Sequence, residues 1–138
     1  MKTTTIKNFA GLEYLVIKNV PIRHTAAGDV LAVKRGFLEE LAAKYILENK
    51  LPLRGKEVKL LRSARHLSMV EFGKQLGVTH NAVMNWEHEG SRRLLPVNEL
   101  AVRLFFLSEF NLDFPKSFED VKCYADLPKK KVILKVAA

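Results

Sequence analysis

Residues 67–87 read LSMVEFGKQLGVTHNAVMNWE without a gap, and this run constrains the fold more than any other part of the chain. Its cap, glycine and apolar positions each answer a separate geometric demand. Together they describe two short helices joined by a tight turn. Ser68 suits an N-cap, and Glu71 three residues later completes a capping box. Phe72 and Leu76, four apart, share one face of the first helix. Gly73 is small where the second helix must cross closely. Gly77 falls at the turn, where the backbone is expected to be left-handed and glycine takes that form without strain. Val78 packs under the turn, and Thr79 is a good cap for the second helix. Val83 and Trp86, three apart, face inward. That leaves His80, Asn81, Met84 and Asn85 outward.

The chain around this run has 138 residues, room for one domain or two small ones, and ample apolar content for a core. The formal net charge is +8. That balance favours a polyanionic partner, most simply nucleic acid. The excess is largest over residues 54–108, with 9 basic and 5 acidic groups, which is where the helix pair lies. Cys123 is the one cysteine, so neither an intrachain disulfide nor a cysteine-based metal site is expected, and a reducing cytoplasm fits. No run approaches the roughly 18 apolar residues of a membrane span. The opening MKTTTIKNFAG lacks the apolar stretch of a secretory signal. A cytoplasmic chain with no membrane partner is therefore expected.

The pattern predicts an α+β fold in three parts. In residues 1–52, β-branched and aromatic residues predict a strand over 12–22, a turn over 24–29 and a short strand over 30–33. A helix over 37–48 follows, with Phe37, Leu38, Leu41, Ala42, Tyr45 and Ile46 in one stripe. This is a small hairpin-and-helix domain without metal. Pro52 and Gly55 then read as helix breakers in a linker. Residues 53–110 predict a bundle of four to five helices, beginning with 56–65. Gly90 ends the second helix of the pair, 91–96 is a basic loop, and 97–110 is a further helix. Its inward residues are expected to be Val97, Leu100, Ala101, Leu104 and Phe105. Phe106, Leu107 and Phe110 are then left over for a dimer contact, or else to cover the C-terminal tail. The tail, 111–138, holds a short helix near Phe118 and a strand over 131–136. That strand must pair with the N-terminal hairpin of its own or a second subunit.

The run at 67–87 looks like a helix-turn-helix unit, which lays its second helix in the major groove of DNA. Residues 53–106 resemble the helix-turn-helix domains of Xre-type, lambda-repressor-like regulators. The matching positions are Leu67, Ser68, Phe72, Gly73, Leu76, Gly77, Val78, Val83, Trp86, Glu87 and Gly90. The order of parts, with NVPI at 19–22 and LRGKEVKLLR at 53–62, resembles the MqsA (YgiT) type of antitoxin and regulator over about residues 12–107. Members of that family usually hold zinc in the N-terminal domain through two CxxC pairs. This chain has no cysteine before Cys123, so that site is missing and hairpin–helix packing must hold the domain instead.

The recognition helix is expected over 79–88. Thr79, His80, Asn81, Met84 and Asn85 lie where base edges would be. Asparagine can pair with adenine through two hydrogen bonds. The resemblance puts Asn81 where MqsA-type proteins carry a base-reading asparagine. It puts Asn85 where many relatives carry an arginine. Phosphate contacts are expected from the amides of Ser68 and Met69 at a helix start, and from Lys74, Arg92 and Arg93 around the recognition helix. Arg62 and Arg65 are weaker candidates, Trp86 reads as core, and Glu87 reads as bonded within the fold.

These residues predict a sequence-specific transcriptional repressor that binds double-stranded operator DNA as a homodimer. The alternative is an antitoxin of a type II pair, which would also bind a cognate ribonuclease toxin and repress its own operon. An enzyme is not expected. His24, His66, His80 and His88 are scattered, no spacing suits a zinc site, and no glycine-rich phosphate loop is present, so neither cofactor nor metal is predicted. RNA binding is disfavoured by the lack of an RNP-type aromatic strand pair or a GxxG loop.

Overall fold

A computed structural model of the chain describes residues 2–122 and 126–137. Cys123 lies outside the described residues. The N-terminal sheet is organised by one long strand, β2 (Leu15–Thr25). Its inner residues Leu15, Ile17 and Val20 are buried. β1 (Thr3–Lys7) pairs antiparallel with it, Ile6 opposite Ile17. β3 (Gly28–Leu31) folds back antiparallel on its far end, Thr25 opposite Gly28. β4 (Val132–Lys135) from the tail pairs parallel, Leu15 beside Val132. The expected tail strand thus completes the sheet of its own chain.

The strands differ from the sequence pattern at several points. β1 is not among the elements it predicts, although its TTTIK run is rich in β-branched residues. The strand expected over 12–22 starts later, because a single 3₁₀ turn at Phe9–Gly11 leads into a further turn at residues 12–15. There Leu12 and Tyr14 turn into the interior as packing groups. The hairpin turn narrows to Ala26 and Ala27, and β3 ends at Leu31 rather than Val33.

Helix α1 (Phe37–Glu48) matches its expected span and lays Leu38, Ala42, Ala43, Ile46 and Leu47 against the sheet and the next helix. Then come α2 (Gly55–Ala64), α3 (Met69–Leu76), α4 (His80–His88), α5 (Pro96–Glu109) and α6 (Phe118–Val121). Helices and a mixed four-stranded sheet make the fold α+β. One apolar cluster runs from Leu12 and Leu15 through Ile46, Leu53, Val58 and Leu61 to Phe72, Val83 and Phe106. It crosses the boundary expected at residues 52 and 53, so the hairpin-and-helix part and the bundle share one core. Among the described residues, no helix is long and apolar enough to cross a membrane.

Helix α5 is rotated relative to the sequence expectation. Val102, Phe106, Leu107 and Phe110 are buried, whereas Val97 and Ala101 are exposed. Phe106 packs on Phe72 with ring centroids 5.3 Å apart and on Phe105 at 5.0 Å. Phe106, Leu107 and Phe110 are therefore core, not a dimer contact. The cause is that the buried stripe includes two charged residues, Glu99 and Arg103. Glu99 accepts the Leu53 N–H at 2.9 Å, and Arg103 donates to the Leu51 carbonyl at 2.7 Å. A stripe counted from apolar residues alone skips both and turns to the other side.

The start of α2 holds the most demanding polar group. The Glu57 carboxylate is fully buried. It accepts the Arg54 backbone N–H at 2.9 Å and the guanidinium through Nε at 2.8 Å and Nη2 at 2.7 Å. It also accepts the Tyr14 hydroxyl at 3.0 Å. Burial, with the Glu57 charge beside it, raises the Tyr14 hydroxyl far above the usual phenol range. The Glu57 hydrogen bond raises Arg54 above its ordinary value despite burial. On its outer side Arg54 donates to Glu13 at 2.7 Å. Glu57→Ala leaves a buried guanidinium and a phenol without their acceptor. It is expected to cost about 3–5 kcal/mol, whereas Tyr14→Phe, which removes one hydrogen bond, is expected to cost about 1 kcal/mol. Urea denaturation of the two variants checks both values.

Candidate nucleic-acid interface

The pair α3–α4 is built by the devices its sequence suggests. Ser68 Oγ accepts the Glu71 N–H at 3.1 Å, and the Glu71 carboxylate accepts the Ser68 N–H at 3.1 Å. These two bonds close the capping box. Gly77 adopts φ 74°, and the Val78 N–H reaches back to the Gly73 carbonyl at 2.9 Å in a Schellman-type closure. At Gly73 a Cβ would stand 2.7 Å from the Val78 carbonyl oxygen, so the turn approaches that position too closely for any side chain. Thr79 Oγ1 accepts the Ala82 N–H at 3.2 Å and caps α4.

Inward, Val83 is fully buried and Trp86 half-buried against the core. Glu87, one position on, is clamped by Arg62 from α2, with Nε at 2.7 Å and Nη2 at 2.8 Å. The third nitrogen of Arg62 donates to the Leu67 carbonyl at 2.8 Å. One guanidinium thus ties α2, the entry to α3 and α4 together, and the Glu87 hydrogen bond raises it above the ordinary arginine value. Arg62 is committed to the fold rather than to a phosphate. Arg65 is likewise engaged, 3.6 Å from Glu109 and stacked over the Phe110 ring.

The loop after α4 is fixed to the start of α2. Lys56 N–H donates to the Gly90 carbonyl at 3.0 Å, and Gly55 N–H to the Arg92 carbonyl at 3.3 Å. Leu94 N–H donates to the Leu53 carbonyl at 3.0 Å, and Arg54 forms a β-bridge with Arg93. Gly55 is thus the first residue of α2, not a linker breaker. A Cβ on it would fall 1.9 Å from the Trp86 carbonyl oxygen, so glycine is required by close backbone approach.

This frame leaves His80, Asn81, Met84 and Asn85 together on the exposed side of α4, with Thr79 exposed at its start. Among the described residues, the side chains of His80, Asn81 and Asn85 have no hydrogen-bond partner. His88 joins them at the far end. Its spacing from Asn81 and Asn85 carries that signal, although along the chain it stands out only as one of four scattered histidines. Ser68 and Lys74 are exposed, and Met69 is half-buried at the start of α3. Arg92 is exposed, 3.3 Å from Glu89. Arg93 is paired within the fold, where Glu99 holds its guanidinium through Nε at 2.8 Å and Nη2 at 2.9 Å. Among the described residues, no group of three or more His, Cys, Asp or Glu could hold a metal ion.

Comparison with protein-family models, with curated proteins and with solved structures gives no match.

The capping box carries a pH signature. The backbone and hydroxyl hydrogen bonds from Ser68 outweigh slight burial and hold Glu71 below its ordinary value of 4.5. Because the folded value is depressed, the stability it contributes is present above pH 4.5 and is lost as pH falls through the folded value. A carboxyl NMR titration should place Glu71 below 4.5 in the native chain, and Ser68→Ala should return it toward that value.

Proposed function

We propose that the chain is a sequence-specific, DNA-binding transcriptional regulator of the Xre-type helix-turn-helix kind, acting as a repressor by covering operator DNA. The observation that carries this reading is the contrast across α4. Its inner side is fixed by Val83, the Arg62–Glu87 clamp and the Gly55 contact, while Asn81 and Asn85 on its outer side bond to nothing in the fold. Rigid support beneath an unused row of amides is what base readout needs, since a misplaced helix loses its hydrogen-bond geometry.

In this reading Asn81 lies in the first turn of α4 and pairs with adenine through N6 and N7, and Asn85 reads a base one turn further on. Met84 packs on a thymine methyl group, and Thr79 and His80 meet base edges or the adjoining phosphate. The start of α3 presents the Met69 amide to a phosphate of the crossed strand, the Ser68 amide being held by Glu71, with Lys74 and Arg92 supplying positive charge on either side. Arg93 contributes by bracing the loop through Glu99, and it reaches a phosphate only by exchanging that carboxylate. A regulator of this kind works where the DNA is, in the cytoplasm.

Anisotropy titrations against fragments of the chain's own promoter test the assignment. Asn81→Ala should lose about 1–3 kcal/mol of discrimination between operator and scrambled duplex, with unfolding unchanged. Arg92→Ala should weaken binding to every duplex and lower the salt slope by about 1. Equal affinity of the native chain for promoter and scrambled DNA would refute the assignment.

A further inference from the structure

Lys129, Lys130 and Lys131 form the longest run of like charge in the chain, and they stand just ahead of β4. By itself a run of lysines is an ordinary solvated surface. The fold gives these three different places. Lys131 Nζ donates to the Glu13 carbonyl, and the next residue, Val132, donates its N–H to the Tyr14 carbonyl at 2.6 Å. These bonds pin the tail to the segment that also brings Glu13 and Tyr14 to Arg54 and Glu57. Two residues upstream, Lys129 lines a groove with Ser91 and Arg93 of the loop after α4, with Arg54, and with Asp126 and Leu127 of the tail. Lys130 beside it is exposed. The tail thus passes the exit of α4 on a path fixed by the pairing of β4 with β2.

The cations around this groove are not equivalent. Arg54 is held by Glu57 and Glu13, and Arg93 by Glu99. Among the described residues, the Lys129 and Lys130 ammonium groups enter no hydrogen bond or ion pair. Of the described residues lining the groove, Asp126 alone is acidic.

We propose that Lys129 and Lys130 bind backbone phosphates of duplex DNA, so that the tail is a second, sequence-independent part of the interface built on α4. The proposal rests on the DNA-binding reading, which places the loop after α4 beside the sugar-phosphate backbone. Lys129 shares its groove with Ser91, the neighbour of Arg92. A backbone that reaches Arg92 therefore passes the tail lysines as well. Charge and chemistry select the occupant. Lysine is a compact, strongly hydrated point charge, suited to a solvated phosphate rather than to a dry contact. A protein partner needs an apolar anchor, and lysine is depleted from the cores of such interfaces. Among the described lining residues, only Pro52, which is buried, and the half-buried Leu127 are apolar. In this arrangement β4 does more than complete the sheet: its pairing holds the two lysines beside the loop.

Anisotropy titrations of the full chain over a range of salt, on promoter and scrambled duplexes, test the proposal. Lys129→Ala combined with Lys130→Ala should lower the salt slope by about 2 on both duplexes and leave the ratio of the two affinities unchanged. Lys2→Ala combined with Lys7→Ala removes the same charge from the β1 edge, on the far side of β2 from β4, and should leave the slope unchanged. In a Cys123→Ser background, Lys130→Cys carrying an iron–EDTA cleavage reagent should cut the bound duplex, whereas Lys7→Cys carrying it should not. A tail variant whose slope matches that of the native chain overturns the proposal; where the native chain still prefers the promoter, base reading by α4 stands. A native chain that binds both duplexes alike, with the slope still lowered in the tail variant, supports the phosphate site and refutes base reading. A native chain that binds neither duplex overturns both.

Discussion

The Glu57 carboxylate is the interaction on which the rest of the architecture depends. A fully buried negative charge is tolerated only when its lone pairs are met by well-placed donors, and here Arg54 and Tyr14 supply all of them. Tyr14 leads into β2, and Arg54 precedes α2, so this one carboxylate joins the sheet to the first helix of the bundle. The neighbouring residues Leu53, Gly55 and Lys56 then hold the loop that leaves α4. The position of α4 is thus tied, through a short run of backbone, to a charge buried against the N-terminal sheet. The shared apolar core makes the same connection through packing.

That connection bears on how the hairpin-and-helix part serves the bundle. A helix pair of α3 and α4 alone, eight and nine residues long, has too few turns to be stable in water and depends on what it packs against. Arg62 meets this need from below by gripping Glu87 and the Leu67 carbonyl at once. Glu99 meets it from the side by holding Arg93 and the Leu53 amide. Arg62 and Arg93 are thus both paired within the fold.

How much of this was legible in the residues depends on distance along the chain. The caps at Ser68 and Thr79, the turn at Gly77 and the close approach at Gly73 are local, and each was readable from spacing. The exposed row on α4 followed from the same spacing. The α1 span was also plain, because its apolar stripe is unbroken. What failed was reading across distance. Glu57 and Tyr14 lie 43 residues apart, so nothing nearby marks either as buried. Glu99 and Arg103 sit in the core stripe of α5 as charges, which turned the expected face and misassigned Phe106, Leu107 and Phe110. Arg93 looked free because its partner lies six residues on in another element. β1 was missed because a polar, threonine-rich strand carries little alternation to recognise.

In the proposed function the outer face of α4 reads base sequence. Selection of bound duplexes from a randomised pool, followed by sequencing, tests it without assuming any operator. A short motif, arranged as two inverted half-sites, should be enriched and should disappear when Asn81 and Asn85 are replaced by alanine. A bound pool with the same composition as the input, or a motif unchanged by those replacements, would contradict it.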